Sequence, residues 1–302
     1  MSYKITQTPC TANKRYKTNY TKTGYMQHST GAPGGTAKAI ISTWNRPSCA
    51  AEAAFIIDDT GIYQCFPENA SLWHCGGAAN KPYISCEICE PSETRLLDPN
   101  WLNLQINGKY NTTWAVKRLQ QELLALGYEI GTVDGIFGSK TAEAAKLFQK
   151  ANGLSADGIV GKDTLHAFQK REGSLLKYNP DNVKDYFQDV YSKAVWLCGE
   201  ICGEKGFSVN STNVLSHSEG HKKGIASNHA DCDHFFAPHG KSMNDFRADV
   251  MTYISTKVLP FEKKPTVTTD KTNTKEEKIT HTGNIEIVTQ GNKITKVTVK
   301  MN

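Results

Sequence analysis

The sequence predicts an α/β protein: a central mixed β-sheet flanked by helices, interrupted by a three-helix module and followed by a β-hairpin tail. Three observations carry this. Two apolar runs flank a turn within residues 51–66, a long amphipathic stretch begins at Val183, and a short motif recurs in the middle of the chain.

Residues 51–66 read AEAAFIIDDTGIYQCF. Short apolar runs bounded by turn residues form buried strands, so this segment predicts strand, Asp-Asp-Thr-Gly turn and strand. After Val183, the residues Phe187, Val190, Ala194, Leu197 and Ile201 recur at helical spacing. Ser242, with Asp245 three residues on, has the pattern of a capping box. It opens a helix predicted to bury Phe246, Val250 and Ile254. Strands in the first part and helices in both parts imply a sheet covered by helices.

The repeat lies between these parts. Residues 134–141 read DGIFGSKT and residues 157–164 read DGIVGKDT, so D-G-I-x-G-x-x-T recurs with a period of 23. Asp-Gly suits a tight turn with a positive φ at the glycine. Each threonine is read as opening a helix, with Ala144, Leu147 and Phe148 in the first and Leu165 and Phe168 in the second. Upstream, Val116, Leu119, Leu123 and Leu126 are helically spaced and Gly127 is the stop. The expected organisation is 1–111, an inserted module at 112–171, a return to the first domain at 172–260, and a tail at 261–302.

Hydrophobic residues make up 38% of the chain, and no apolar run approaches the roughly 18–20 residues of a membrane span. The net charge of +5 is too small and too dispersed for a nucleic-acid partner, though a mild positive excess favours an anionic surface. The N-terminus is polar and lacks an apolar signal core, which predicts synthesis in the cytoplasm without a signal peptide. Nine cysteines in such a chain are expected as reduced thiols. The pairs Cys86/Cys89 and Cys198/Cys202 lack a second close pair at zinc-site spacing and read as small buried hydrophobes.

Residues 263–282 are rich in Lys, Thr and Asp and read as a linker. The segment NIEIVTQGNKITKVTVK alternates apolar and polar residues around Gly291-Asn292, a hairpin pattern. An isolated hairpin is marginal in water. It must dock on its own chain or on a second copy, and the latter suggests a homodimer.

Of nine histidines, five fall between 217 and 239, in LSHSEGHKKGIASNHADCDHFFAPHG. Histidines and aspartates at irregular short spacing suit metal ligation, a polar surface or plain loop composition. A catalytic zinc needs three protein ligands and an open position, and composition does not choose among the candidates.

Three ordered stretches supply a resemblance: MQHSTG at 26–31; IDDTGIYQ followed by LWHCGG and YISCEICEP; and SHSE at 216–219 with NHAD at 228–231. Over most of residues 20–110 and 180–255 the chain resembles the zinc-dependent N-acetylmuramoyl-L-alanine amidases of the type 2 family, shared with phage lysins and peptidoglycan recognition proteins. The segment 112–171, with its repeated turns and its Leu119-Gln120, Phe148-Gln149 and Phe168-Gln169 pairs, resembles the peptidoglycan-binding domain found beside wall hydrolases.

The resemblance implies zinc held by His28, His217 and Asp231, with Glu87 as catalytic acid/base and His229 beside the reacting carbonyl. Trp73 and His74 match a Trp-His pair lining the substrate groove. Each assignment has an ordinary alternative. Glu87 could be a solvated strand carboxylate, His229 an orienting partner of Asp231, and Trp73 a core residue. His221, His234 and His239 read as loop residues. Two features depart from the family pattern. Ala53 and Ala54 stand where relatives have tyrosine and histidine, and the long GHKKGIAS stretch before Asp231 makes His229 the runner-up third ligand.

The implied reaction is hydrolysis of the amide between the lactyl group of N-acetylmuramic acid and L-alanine. The implied partner is bacterial peptidoglycan, with no nucleic acid and no membrane, and the implied setting is a phage or prophage lysin reaching the wall after holin-type release. The rival functions are a non-catalytic wall-binding receptor and a zinc endopeptidase acting on the stem peptide.

Overall fold

The computed structural model describes residues 2–97 and 102–262, and in the tail the backbone of residues 277–280, 285–290 and 293–299. The chain divides into two compact units, Met1–Phe261 and Glu262–Asn302. In the first unit the elements run β1 (Ile5–Gln7), β2 (Gly24–Ser29), α1 (Ala37–Trp44), β3 (Phe55–Asp58), β4 (Gly61–Gln64) and β5 (Tyr83–Ile88). Then follow α2 (Thr113–Ala125), α3 (Ser139–Ala151), α4 (Lys162–Gln169), α5 (Lys184–Lys205), β6 (Val214–Ser216), α6 (His217–Lys222), α7 (Asp233–Phe236) and α8 (Met243–Thr256).

Six strands form one mixed sheet in the order β1-β4-β3-β5-β2-β6. The DDTG segment joins β3 to β4 as an antiparallel pair, while β3–β5, β5–β2 and β2–β6 are parallel. Strand β2 is buried at every position, as befits a strand with neighbours on both sides. Its polar Gln27 is satisfied by accepting from Tyr25 Oη at 2.8 Å and donating to the carbonyls of His28 and Cys86. Gly24 opens β2 where a Cβ would lie 2.4 Å from the Asn213 carbonyl, so only glycine lets the strand approach β6.

Helix α5 packs across β2, β3 and β5, and α8 packs on α5. Lys193 of α5 is buried yet satisfied: its ammonium donates to the carbonyls of Asp58 and Asp59 and pairs with Asp189 at 2.6 Å, fixing the β3–β4 turn. Ser242 and Asp245 form the capping box at the start of α8. Phe246 and Val250 are buried there, but Ile254 is 37% exposed and Tyr253 takes the inner place. The reason is Gly199 of α5, whose missing side chain leaves room for the Tyr253 ring.

A second apolar cluster joins α2, α3 and α4. It also takes in Leu96, Leu102, Leu104 and Leu176, which lie outside residues 112–171. The helices open at Ser139 and Lys162, two residues before the threonines of the repeat. Those threonines instead serve the turns. Gln120 Nε2 donates to Asp134 Oδ1, the Ile136 carbonyl and Thr141 Oγ1, while its Oε1 accepts from Gly135 N. Gln149 repeats the pattern with Asp157, Ile159, Thr164 and Gly158. Each repeated motif is thus a turn locked by the glutamine of the preceding helix. The φ values of +82° at Gly135 and +77° at Gly158 explain the Asp-Gly pair. Phe148 stacks on Phe168 at 3.6 Å, which turns α3 so that Leu147, expected inside, is 49% exposed.

In the tail, β7 (Glu277–Thr280), β8 (Ile285–Gln290) and β9 (Lys293–Val299) form an antiparallel sheet in that order. The β8–β9 pair is the expected hairpin, whose Gly291-Asn292 turn lies outside the described residues. Strand β7 falls in the segment read as linker. Its Glu-Lys-Ile-Thr composition carries no strand signal, and its pairing with β8 supplies the order.

Candidate metal centre

The site forms at the carboxyl ends of the parallel strands β2, β5 and β6, where an open α/β sheet leaves a crevice. His28 is the penultimate residue of β2 and pairs in register with Glu87 on β5. Paired positions on neighbouring strands share a face, so the two side chains point into the same crevice.

His217 is the first residue of α6, directly after β6. The S-x-x-E spacing of SHSE is a capping box: Ser216 Oγ accepts from Glu219 N at 3.1 Å, and Glu219 Oε2 accepts from Ser216 N at 3.2 Å. Arg247 of α8 then grips Glu219 with bonds of 2.8 and 3.0 Å. Capping and this bidentate pair together fix where α6 begins, and therefore where His217 stands.

Asp231 closes the group. Its carboxylate lies 2.8 Å from His28 Nδ1 and 3.2 Å from His217 Nδ1. Burial works against its charge, but the hydrogen bonds from His217 and His28 prevail and hold Asp231 well below the usual carboxylate range. The ligating atoms of His28, His217 and Asp231 all lie within 4.8 Å of one another, the one such group among the described residues. Two imidazoles and a carboxylate are donors that zinc accepts, and three ligands leave a position open. Beyond the long GHKKGIAS stretch, Asp231 lies beside both histidines.

These residues wall a cavity of about 690 Å³ that Trp73, Glu87 and His229 also line. Glu87 is a half-buried strand carboxylate on the cavity wall. Burial, with the charges of Asp231 and Glu90, pushes its pKa well above the ordinary value, and its Oε2 finds no partner among the described residues. Trp73 is 56% exposed, so it is not a core residue. The His229 side chain is 63% exposed and its Nδ1 stands 3.9 Å from Asp231, too far for a hydrogen bond. Its ring stacks parallel on His217 at 4.7 Å.

His74 lines the cavity and also touches His28, with His28 Nε2 and His74 Nδ1 at 3.0 Å. Burial, reinforced by the charge of His28, holds its pKa well below the ordinary value. Ala53 and Ala54, directly before β3, are buried in the core. His234 and His239 are not loop residues. His234 lies on α7, lines the cavity and pairs with buried Glu90 at 3.0 Å. His239 stacks on Phe187 at 3.8 Å. The sequence reading missed Glu90, His234 and Ser227. Only His234, within the histidine-rich segment, left a signal there.

None of the nine cysteines is disulfide-bonded, and eight are buried. Cys198 and Cys202 face each other along α5 with their sulfurs 3.9 Å apart.

The family profile described as N-acetylmuramoyl-L-alanine amidase matches residues 18–129, and a peptidoglycan-binding domain profile matches residues 114–168. The chain is 30% identical over 119 residues to the N-acetylmuramoyl-L-alanine amidase XlyA of Bacillus subtilis, covering 38% of this chain and 37% of that protein. It is 47% identical over 55 residues to the amidase CwlL of Bacillus licheniformis, covering 16% of this chain and 15% of that one. The chain thus spans well under half the length of either relative. Among solved structures, the XlyA catalytic domain is similar at 17% identity with a TM-score of 0.43, covering 81% of this chain and 97% of that one. The hydrolase AmiA of Staphylococcus aureus is similar at 12% identity with a TM-score of 0.48, covering 85% and 88%. On these sequence matches residues 18–129 resemble the N-acetylmuramoyl-L-alanine amidase family and residues 114–168 resemble a peptidoglycan-binding domain.

Proposed function

We propose that the protein hydrolyses the amide between the lactyl group of N-acetylmuramic acid and L-alanine in peptidoglycan, with zinc held by His28, His217 and Asp231. The observation that carries this reading is the convergence of those three residues with the half-buried Glu87 on one cavity. Zinc, when bound, polarises the amide carbonyl and acidifies water. Glu87 takes the proton from the attacking water and returns it to the leaving amine of L-alanine, roles that a raised pKa suits. His229, exposed at the cavity wall, donates to the oxyanion of the tetrahedral intermediate. Trp73 offers an apolar face to the substrate at the same wall.

In this reading residues 112–171 are a wall-binding domain inserted into a catalytic domain formed by 1–111 and 172–260. The pairing of β2 with β6, strands on either side of the insert, supports it. Use as a phage or prophage endolysin belongs to the same proposal and rests on the pairing of a wall hydrolase with a wall-binding module. The tail at 261–302 is assigned to self-association. Light scattering should then give a smaller assembly once those residues are deleted, and an unchanged one rejects the assignment.

The deciding experiment measures zinc content and muropeptide release for the wild type and Glu87→Ala side by side. Zinc bound by both, with free N-terminal L-alanine released by the wild type alone, supports the amidase mechanism. New amino groups on other stem residues would make the protein an endopeptidase. Absence of zinc, or equal cutting by the variant, rejects the site assignment.

A further inference from the structure

The stretch GHKKGIAS between His217 and Asp231 does more than lengthen the chain. Its last residues dock on the CGG segment that follows His74. Ala79 N donates to the Ile225 carbonyl at 3.0 Å, and Ser227 N donates to the Cys75 carbonyl at 2.8 Å. The two segments approach so closely that a Cβ on Gly77 would lie 2.4 Å from the Ile225 oxygen. Gly76, with φ +63°, faces Ser227, where a Cβ would meet Oγ at 2.9 Å. Both glycines of LWHCGG are therefore explained by this docking.

The docked loop delivers one side chain to the metal centre. Ser227 Oγ donates to the Cys75 carbonyl at 3.0 Å and lies 3.1 Å from His217 Nε2. A hydroxyl whose own proton is committed to a carbonyl can only accept from the ring. His217 Nε2 therefore carries the hydrogen, and Nδ1, which faces Asp231, has its lone pair free. The outward nitrogen of His28 is held by His74, the residue before the CGG segment.

We propose that Ser227 is a positioning residue: through the Cys75 carbonyl it holds His217 in the orientation and tautomer that present Nδ1 to the metal. The inference rests on the zinc reading above. It concerns a residue whose hydroxyl meets the His217 ring at Nε2, away from the Nδ1 that faces Asp231. Groups that orient a ligating histidine in this way change metal affinity by about 10–100-fold when removed.

The test uses the full chain as wild type, Ser227→Ala and Ser227→Thr. Zinc affinity is measured by competition with a chromophoric chelator. The visible absorption of the cobalt-substituted protein reports ligand geometry, and the melting temperature of the metal-free protein reports folding. Ser227→Ala should bind zinc about tenfold or more weakly and shift the cobalt spectrum. Ser227→Thr, which keeps the hydroxyl, should restore both. Three outcomes overturn the proposal while leaving the amidase reading intact. These are wild-type affinity and spectrum in Ser227→Ala, equal defects in both variants, and an affinity loss matched by collapse of the metal-free protein. A wild type that binds no zinc overturns the amidase reading itself.

Discussion

His28 and Glu87 occupy paired positions on the adjacent parallel strands β2 and β5, so one register places the proposed metal ligand beside the proposed acid/base carboxylate. Because a strand shows alternate faces, a slip of a single residue between these strands would turn Glu87 out of the cavity.

That pairing predicts a separation of functions. Glu87→Gln keeps the shape of the side chain and leaves His28, His217 and Asp231 untouched. It should bind zinc like the wild type while muropeptide release falls about 10²–10⁴-fold, the usual contribution of general acid–base catalysis. Metal analysis alongside product release checks this. Loss of zinc from the variant would mean that Glu87 ligates the metal.

Zinc should stabilise the fold. Its three proposed ligands, His28 far upstream of His217 and Asp231, meet only in the folded chain, so a metal held there binds the native state in preference to the unfolded one. At zinc one hundred times its dissociation constant the gain is about 2.7 kcal/mol. Melting scans with zinc and with a chelator should differ accordingly, and His217→Ala should abolish the difference. A wild-type melting temperature indifferent to chelator contradicts the site.

Gln149 makes four hydrogen bonds from a nearly fully buried side chain, whereas Gln169 makes two longer ones, to the carbonyls of Leu96 and Leu176. Truncating a buried hub strands its partners. Gln149→Ala should therefore destabilise the chain by about 2–4 kcal/mol, and Gln169→Ala by about 1 kcal/mol. Chemical denaturation followed by tryptophan fluorescence (Trp114 sits in this module) ranks the two. Equal costs would show that the repeated turns do not depend on their glutamines.

Burial pushes the imidazole of His239 down to about 4 from its ordinary 6.5. It stacks on Phe187, and Tyr178 Oη lies 2.8 Å from its Nε2. The folded protein thus favours neutral His239. Its contribution to stability is full above 6.5, declines as the unfolded chain takes up the proton, and is gone below about 4. Melting temperatures of the metal-free protein across that window should fall less steeply for His239→Gln than for the wild type. Identical slopes would remove His239 from the acid response.

Local chemistry was legible without the structure wherever neighbours in sequence suffice. The DGIxGxxT repeats announce their turns because Asp and Gly act on their own backbone, and Ser242 with Asp245 marks a helix start for the same reason. Helical periodicity also found the buried face of α5 through Phe187, Val190, Ala194, Leu197 and Ile201. Periodicity fixes a face but not its neighbour. Leu147 and Ile254 lie outside because the stacking of Phe148 on Phe168 and the room left by Gly199 decide what packs inward.

For the candidate metal centre, the sequence by itself offered the ligand types, and the family resemblance of its ordered motifs implied His28, His217 and Asp231 among them. Their meeting is a tertiary fact. β2 and β6 lie side by side although the whole three-helix module separates them in sequence, and Asp231 meets His28 of β2 and His217 at the start of α6, whose Glu219 is held by Arg247. Ser227 shows the limit most plainly. A serine in a glycine- and lysine-containing loop has no local signature, since its partners are a carbonyl 152 residues away and a ring nitrogen 10 residues away. Hydrogen bonds to distant groups leave no period in a sequence, and only the packed chain brings donor and acceptor within reach.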